Sequence, residues 1–140
     1  MVCGLRRVTR MFAPPPHSPA STESSVVLIL SPDAVAAALL GGLVETLGYT
    51  VHFARPPEPV LESLRRIRPR ICLVDCTDPS QCSPELIGRA TMRGISVIIF
   101  GTREALEKVR ALASTQKLDW LLMPAEVEEL KRKLEMATVG

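Results

Sequence analysis

The chain has 140 residues, 46% apolar but only 4% aromatic, with 17 Lys and Arg against 15 Asp and Glu. This length predicts one domain, and so few rings exclude an extensive base- or sugar-stacking surface. Arg6, Arg7, Arg10 and Glu23 lie in the first 25 residues, which leaves fourteen charges of each sign elsewhere and none of the basic excess of a nucleic-acid binder.

Residues 1–24 hold four of the twelve prolines, a Ser/Thr cluster and no apolar periodicity, and read as a disordered tail ahead of a domain spanning 25–138. No apolar run follows the early basic residues and position 2 is Val2, so neither a secretory signal nor a myristoylation site is expected. No apolar stretch of the body is long enough to span a bilayer, and a cytoplasmic setting without membrane contact is the expectation. Cys3, Cys72, Cys76 and Cys82 form no CxxC pair and are expected as thiols.

From Ser25 onward, short apolar runs alternate with amphipathic stretches. Val26 to Leu30 has the β-branched character of a strand covered on both faces. Ser31-Pro32-Asp33 predicts a helix start, with Ser31 as N-cap, Pro32 at the first helical position and Asp33 favourable to the dipole. Ala36, Leu40, Leu43 and Leu47 are its expected inner positions, and Gly48 its stop. Gly41 and Gly42 inside it imply close packing on a neighbour or a soft helix.

A second strand is predicted at Thr50–Ala54, then a helix carrying Val60, Leu61, Leu64 and Ile67 that ends at Pro69. Ile71 to Val74 is a third buried strand delivering Asp75 at its carboxyl end. Ser83-Pro84-Glu85 starts another capped helix, closed by Gly94. A strand over Ser96–Phe100, a helix from Arg103 to about Ala113 and a strand over Trp120–Met123 follow. The last helix is expected to bury Val127, Leu130 and Leu134 and to pair Glu128 with Arg132 and Glu129 with Lys133 outside. Strict alternation of five strands and five helices predicts an α/β, flavodoxin-like parallel sheet with helices on both faces, a three-layer sandwich. Ligands of such sheets sit beyond the strands' carboxyl ends.

The order and spacing of Asp75 after its strand, Gly48 after the first helix, Gly101-Thr102 after the fourth strand and Leu122-Met123-Pro124 after the fifth resemble the receiver domain of bacterial response regulators, the CheY-like superfamily, over roughly 25–136. The resemblance implies that Asp75 stands at the position that accepts a phosphoryl group from a histidine kinase. It puts Ser31 and Pro32 where an acid pair helps to hold magnesium, with Asp33 one step beyond. Thr102, or alternatively Gly101, takes the small-hydroxyl position, Trp120, whose large apolar body favours an inward, buried placement, that of the switch aromatic, and Met123 the place of a lysine.

Phosphoryl transfer needs a cation and a positioned donor, and one carboxylate beside a hydroxyl and a proline is a poor site for a hard ion. If magnesium binds, Asp33 and Asp75 would hold it, weakly; otherwise no cofactor is implied. Asp33 has helix capping as its alternative role, and Asp75 that of a loop acid accepting backbone hydrogen bonds. Cys72, Cys76, Cys82 and Asp78 match no common zinc spacing. A redox role for Cys76 and Cys82 lacks a basic neighbour. His52 reads as a packed or edge histidine, and His17 lies in the tail. With no catalytic triad, GxGxxG, P-loop lysine or Asp-x-Asp, an enzyme is not expected. A cobalamin-binding domain of like architecture lacks its histidine after Asp33. The sequence therefore points to a degenerate receiver of a two-component phosphorelay, a pseudo-receiver acting by protein interaction. A sensor kinase or downstream target is its partner and a homodimer a further arrangement. The alternative is a functional phosphoacceptor with Asp75 phosphorylated by a histidine kinase.

Overall fold

The run Val26–Leu30 forms β1, whose residues from Val27 on are buried, because apolar neighbours cover both faces of the sheet. The computed structural model describes residues 25–54, 57–77, 82–111 and 118–139. After β1 come α1 (Ala34–Thr46), β2 (Thr50–Phe53), α2 (Val60–Ile67), β3 (Ile71–Asp75), α3 (Pro84–Met92), β4 (Ser96–Gly101), α4 (Arg103–Lys108), β5 (Asp119–Leu122) and α5 (Val127–Val139). All pairings are parallel, in the order β2-β1-β3-β4-β5. This is the flavodoxin-like arrangement the alternation of elements predicts. The reversal of strand order lies between β1 and β3, whose ends carry Ser31 and Asp75. The expected tail at 1–24 lies outside the described residues, as do Cys3, His17 and Asp78.

Alternate residues of each strand serve opposite cores. Val27, Ile29, Ile71, Leu73, Ile98, Phe100 and Leu121 pack with Leu40 and Val44 of α1 and Leu130 and Leu134 of α5. Leu28, Leu30, Cys72, Val74, Val97 and Ile99 pack on the other side with Leu64 of α2, Ile87 and Ala90 of α3, and Leu106 of α4. Gly48 and Gly94 close α1 and α3 at φ values of +99° and +80°, which a side chain would strain. Arg68 ends α2 in the left-handed region just before Pro69. Among the described residues no helix is long and apolar enough to cross a membrane.

Several local expectations need correction. Helix α1 begins two residues later than Ser31 implies: Asp33 is its N-cap, accepting from the Val35 and Ala36 amides at 3.0 and 3.1 Å, because Ser31 is drawn to Asp75 instead. Its buried residues are Ala37, Leu40, Gly41 and Val44; Ala36, Leu43 and Leu47 are half-buried. β5 starts and ends one residue earlier, at Asp119 and Leu122. α4 stops at Lys108, a short helical stretch follows at 110–111, and Ala113 lies outside the described residues. Val127, at the start of α5, is exposed. Lys133 pairs with Asp119 Oδ1 at 2.6 Å rather than with Glu129, which ties α5 to the start of β5.

The two glycines of α1 differ. A Cβ on Gly41 would stand 2.8 Å from the tip of the Phe53 ring, so this glycine lets α1 approach β2 closely; a Cβ on Gly42 meets nothing within 4 Å. Gly42→Ala is expected to raise stability by about 0.5–1 kcal/mol in urea denaturation, through helix propensity alone. Gly41→Ala is expected to gain less, because the Phe53 ring has to swing away.

Candidate functional site

Asp75 is the last residue of the central strand β3, and its side chain is almost enclosed, at 5% exposure. Such a carboxylate requires hydrogen-bond donors. Ser31 Oγ donates to Asp75 Oδ2 at 2.6 Å, and the Thr77 amide donates to Oδ1 at 2.9 Å. Ser31 Oγ also accepts from the Asp33 amide at 3.1 Å. One chain of hydrogen bonds therefore joins the end of β3 to the cap of α1 across the switch in strand order.

The residues singled out from the sequence separate into two groups. Ser31 and Asp75 meet. Asp33 is committed to capping α1 through Oδ1, and Pro32 is exposed and offers no side-chain donor. Thr102 is exposed, and its hydroxyl caps α4 by accepting from the Ala105 amide at 3.3 Å. In register, Asp75 pairs with Phe100, so the residue that follows at the strand end is Gly101, not Thr102. A Cβ on Gly101 would lie 2.7 Å from Cys76 Sγ. The Cys76 sulfur thus occupies the space a side chain at 101 would need, a contact that only the register and the missing Cβ together reveal. Met123 is half-buried, and its amide donates to the Gly101 carbonyl at 2.8 Å. It follows β5 and precedes Pro124 across a cis peptide bond.

Magnesium prefers six oxygen ligands in near-octahedral geometry. Here one nearby carboxylate caps a helix, the other is held by Ser31 and Thr77, and Pro32 supplies nothing. Among the described residues no three His, Cys, Asp or Glu side chains converge. These residues do not fit a divalent cation.

The three described cysteines, Cys72, Cys76 and Cys82, are buried. Burial pushes the Cys72 thiol up to about 12, and burial together with the neighbouring Asp75 carboxylate raises Cys76. Cys82 is buried, with its sulfur 4.0 Å from the Asp75 carbonyl. A raised thiol is poorly nucleophilic at neutral pH. His52 is exposed on β2, an edge strand.

Trp120 departs from the expectation of an inward placement. It is 38% exposed and lines a groove with Arg103, Leu106, Leu122 and Lys133 between α4, β5 and α5. Leu121 faces the α1 and α5 side of the sheet, so Trp120 and Leu122 face the α4 side, where on an edge strand they are only partly covered.

Two measurements test this geometry. Ser31→Ala is expected to cost about 1–3 kcal/mol in urea denaturation, the penalty of removing a partner from a buried acceptor; an unchanged midpoint overturns the role of that bond. Gly101→Thr is expected to cost about 1–3 kcal/mol by overpacking, and Cys76→Ala in the same chain should recover most of the loss, a coupling absent if the two positions are independent.

No protein-family model matches this chain, and no curated protein matches it by sequence. Solved structures do match. A signal receiver domain of an HD domain-containing protein from Pseudomonas fluorescens superposes with a TM-score of 0.70 at 21% identity, covering 84% of this chain and 89% of that one. The receiver domain of a sensor histidine kinase from Pseudomonas aeruginosa, with a magnesium ion in its active-site cleft, gives 0.68 at 23% identity, covering 84% and 99%. The chemotaxis protein CheY4 of Vibrio cholerae gives 0.66 at 18% identity, covering 81% and 98%. With its 2-1-3-4-5 sheet and an aspartate closing the central strand, the chain has the CheY-like fold of response regulator receiver domains.

Proposed function

We propose that this chain is a receiver-like signalling domain of a bacterial two-component system, set in the cytoplasm, that works as a protein-interaction module without phosphoryl transfer at Asp75. The observation that carries the reading is the engagement of the Asp75 carboxylate by Ser31 Oγ and the Thr77 amide, at a site whose neighbours do not assemble a cation. In-line transfer to a carboxylate oxygen builds negative charge on the phosphoryl group, which a metal ion and a positioned donor must offset. Met123 carries no ammonium, Gly101 has no hydroxyl, and the Thr102 hydroxyl faces the first turn of α4.

A partner then binds a surface held by packing rather than switched by chemistry. The groove around Trp120 suits this role: an exposed indole beside Leu122 gives an apolar centre, and Arg103, Glu107, Glu129 and Lys133 give a mixed-charge rim. The partner is a sensor kinase or a downstream target.

Incubation with acetyl phosphate or beryllium fluoride and magnesium decides between this reading and a phosphoacceptor. No mass gain and no change in Trp120 fluorescence are expected, whereas a gain that disappears in Asp75→Ala overturns the proposal. In a binding assay against a partner recovered with the wild-type domain, Trp120→Ala or Arg103→Glu is expected to cost 1 kcal/mol or more, about the threshold for an interface anchor. Asp75→Asn should change binding by less than about 0.5 kcal/mol. Abolition by Asp75→Asn with the groove variants unaffected is the contrary result.

A further inference from the structure

The fourteen cations and fourteen acids outside the first 25 residues are not evenly mixed. Because all strands are parallel, each helix returns the chain to the end of the sheet where the strands begin, and the helix C-termini gather there. At this end α2 closes on Arg65, Arg66 and the C-cap Arg68, and α3 on Arg89 and the C-cap Arg93. On the other side of the sheet α1 and α5 have no basic residue in their last turns and carry Glu45 and Glu135 instead. Complementing a helix dipole therefore does not by itself require the arginines, since two helices of this fold end without them.

The fold brings these arginines together. Leu64 of α2 and Leu86, Ile87 and Ala90 of α3 line one small cavity, so the two helices are neighbours. The loops that follow them leave side by side, with the Ser96 amide donating to the Arg70 carbonyl at 3.0 Å and Ile71 in register with Ser96. Arg68 and Arg93 are exposed and make no ion pair among the described residues. Arg65 and Arg89 face Glu62 and Glu85 in solvent-exposed pairs, which cost little to exchange for another carboxylate. Arg68 also stands at a φ of 52°, where the ends of α1 and α3 use Gly48 and Gly94. A side chain is strained in that region, so this cation is placed against the preference of its backbone. Beside Arg93, Met92 is 87% exposed and adds an adaptable apolar contact.

We propose that the joined C-terminal ends of α2 and α3, with Arg65, Arg68, Arg89, Met92 and Arg93, dock an extended acidic peptide segment of a partner protein that also carries apolar side chains. The charge sets the sign of the occupant, and its extent sets the shape. Glu45 and Glu135 stand at the same end across the sheet, so a flat anionic bilayer or a nucleic-acid duplex laid on this end meets acids as well as arginines. A single extended strand fits the basic half alone. The surface is separate from the groove at Trp120, so either proposal can fail without the other.

The test is fluorescence anisotropy of a labelled peptide titrated with the full chain. The peptide has about twelve residues, Glu with Leu at every third position, long enough at about 3.3 Å per residue to cross two helix ends packed about 10 Å apart. Saturable binding with a Kd of roughly 10–500 µM is expected, weakening as salt rises from about 0.05 to 0.5 M. Arg68→Gly and Arg93→Gln should each weaken it by about 3-fold, and together by about 10-fold, the size of exposed ion pairs. Arg68→Gly removes the charge while easing the left-handed helix end, so its unfolding midpoint should not fall. Lys131→Gln, an equal loss of charge at an exposed position of α5, should leave binding unchanged. The proposal is overturned if the peptide does not bind below about 1 mM, if the Arg68/Arg93 double variant binds like the wild type, or if Lys131→Gln weakens binding as much as either arginine variant. Tighter binding of a DNA duplex, or of phosphatidylserine–phosphatidylcholine vesicles, that depends on Arg68 and Arg93 assigns the surface to that ligand and likewise overturns it.

Discussion

A carboxylate buried at the end of a strand covered on both faces has few ways to be accommodated, and the way chosen here organises the rest of the site. Asp75 is held by a hydroxyl from the end of β1 and an amide from its own loop. Because Ser31 is needed there, it does not cap α1, and Asp33 does so instead. Because Asp33 caps the helix, it is not offered to a cation. One short hydrogen bond of 2.6 Å between Ser31 and Asp75 thus decides the role of a third residue, Asp33. A hydrogen bond from a serine hydroxyl suits a resting carboxylate, not a phosphoryl oxygen whose charge grows during transfer.

The surface follows a similar division. The sheet separates two cores, so α1 and α5 share one side while α2, α3 and α4 share the other. Both β2 and β5 are edge strands, so residues of theirs that face a helix layer are only partly covered: Phe53 on the α1 side, Trp120 and Leu122 on the α4 side. Several of the exposed apolar side chains therefore lie at the edges of the sheet, whereas Asp75 at its centre is enclosed.

The fold was legible because its signals were redundant. Buried strands read as uninterrupted Val, Leu and Ile runs, and Ser83-Pro84 and Gly94 bracket α3 as their conformational preferences require. α1 was less legible: a helix apolar on every side has no periodicity to reveal its inner face, and Ala36 and Ala37 are equivalent by composition. The N-cap was ambiguous because Ser31 and Asp33 are both good caps; the competitor for Ser31 was a residue 44 positions away. The size of Trp120 argues for burial, whereas its exposure follows from the edge position of β5, which no local pattern states. The contact of Cys76 with Gly101 joins residues 25 apart through strand register, beyond the reach of local pattern.

That contact also constrains the paths by which the site can change. A side chain at position 101 collides with the Cys76 sulfur at 2.7 Å, so gaining a hydroxyl there demands a simultaneous loss of bulk at 76. Either order of single replacements passes through a penalised intermediate, one overpacked and the other with an empty volume in the core. Two residues on neighbouring strands are in this way tied together, and what can stand at either depends on the volume of the other.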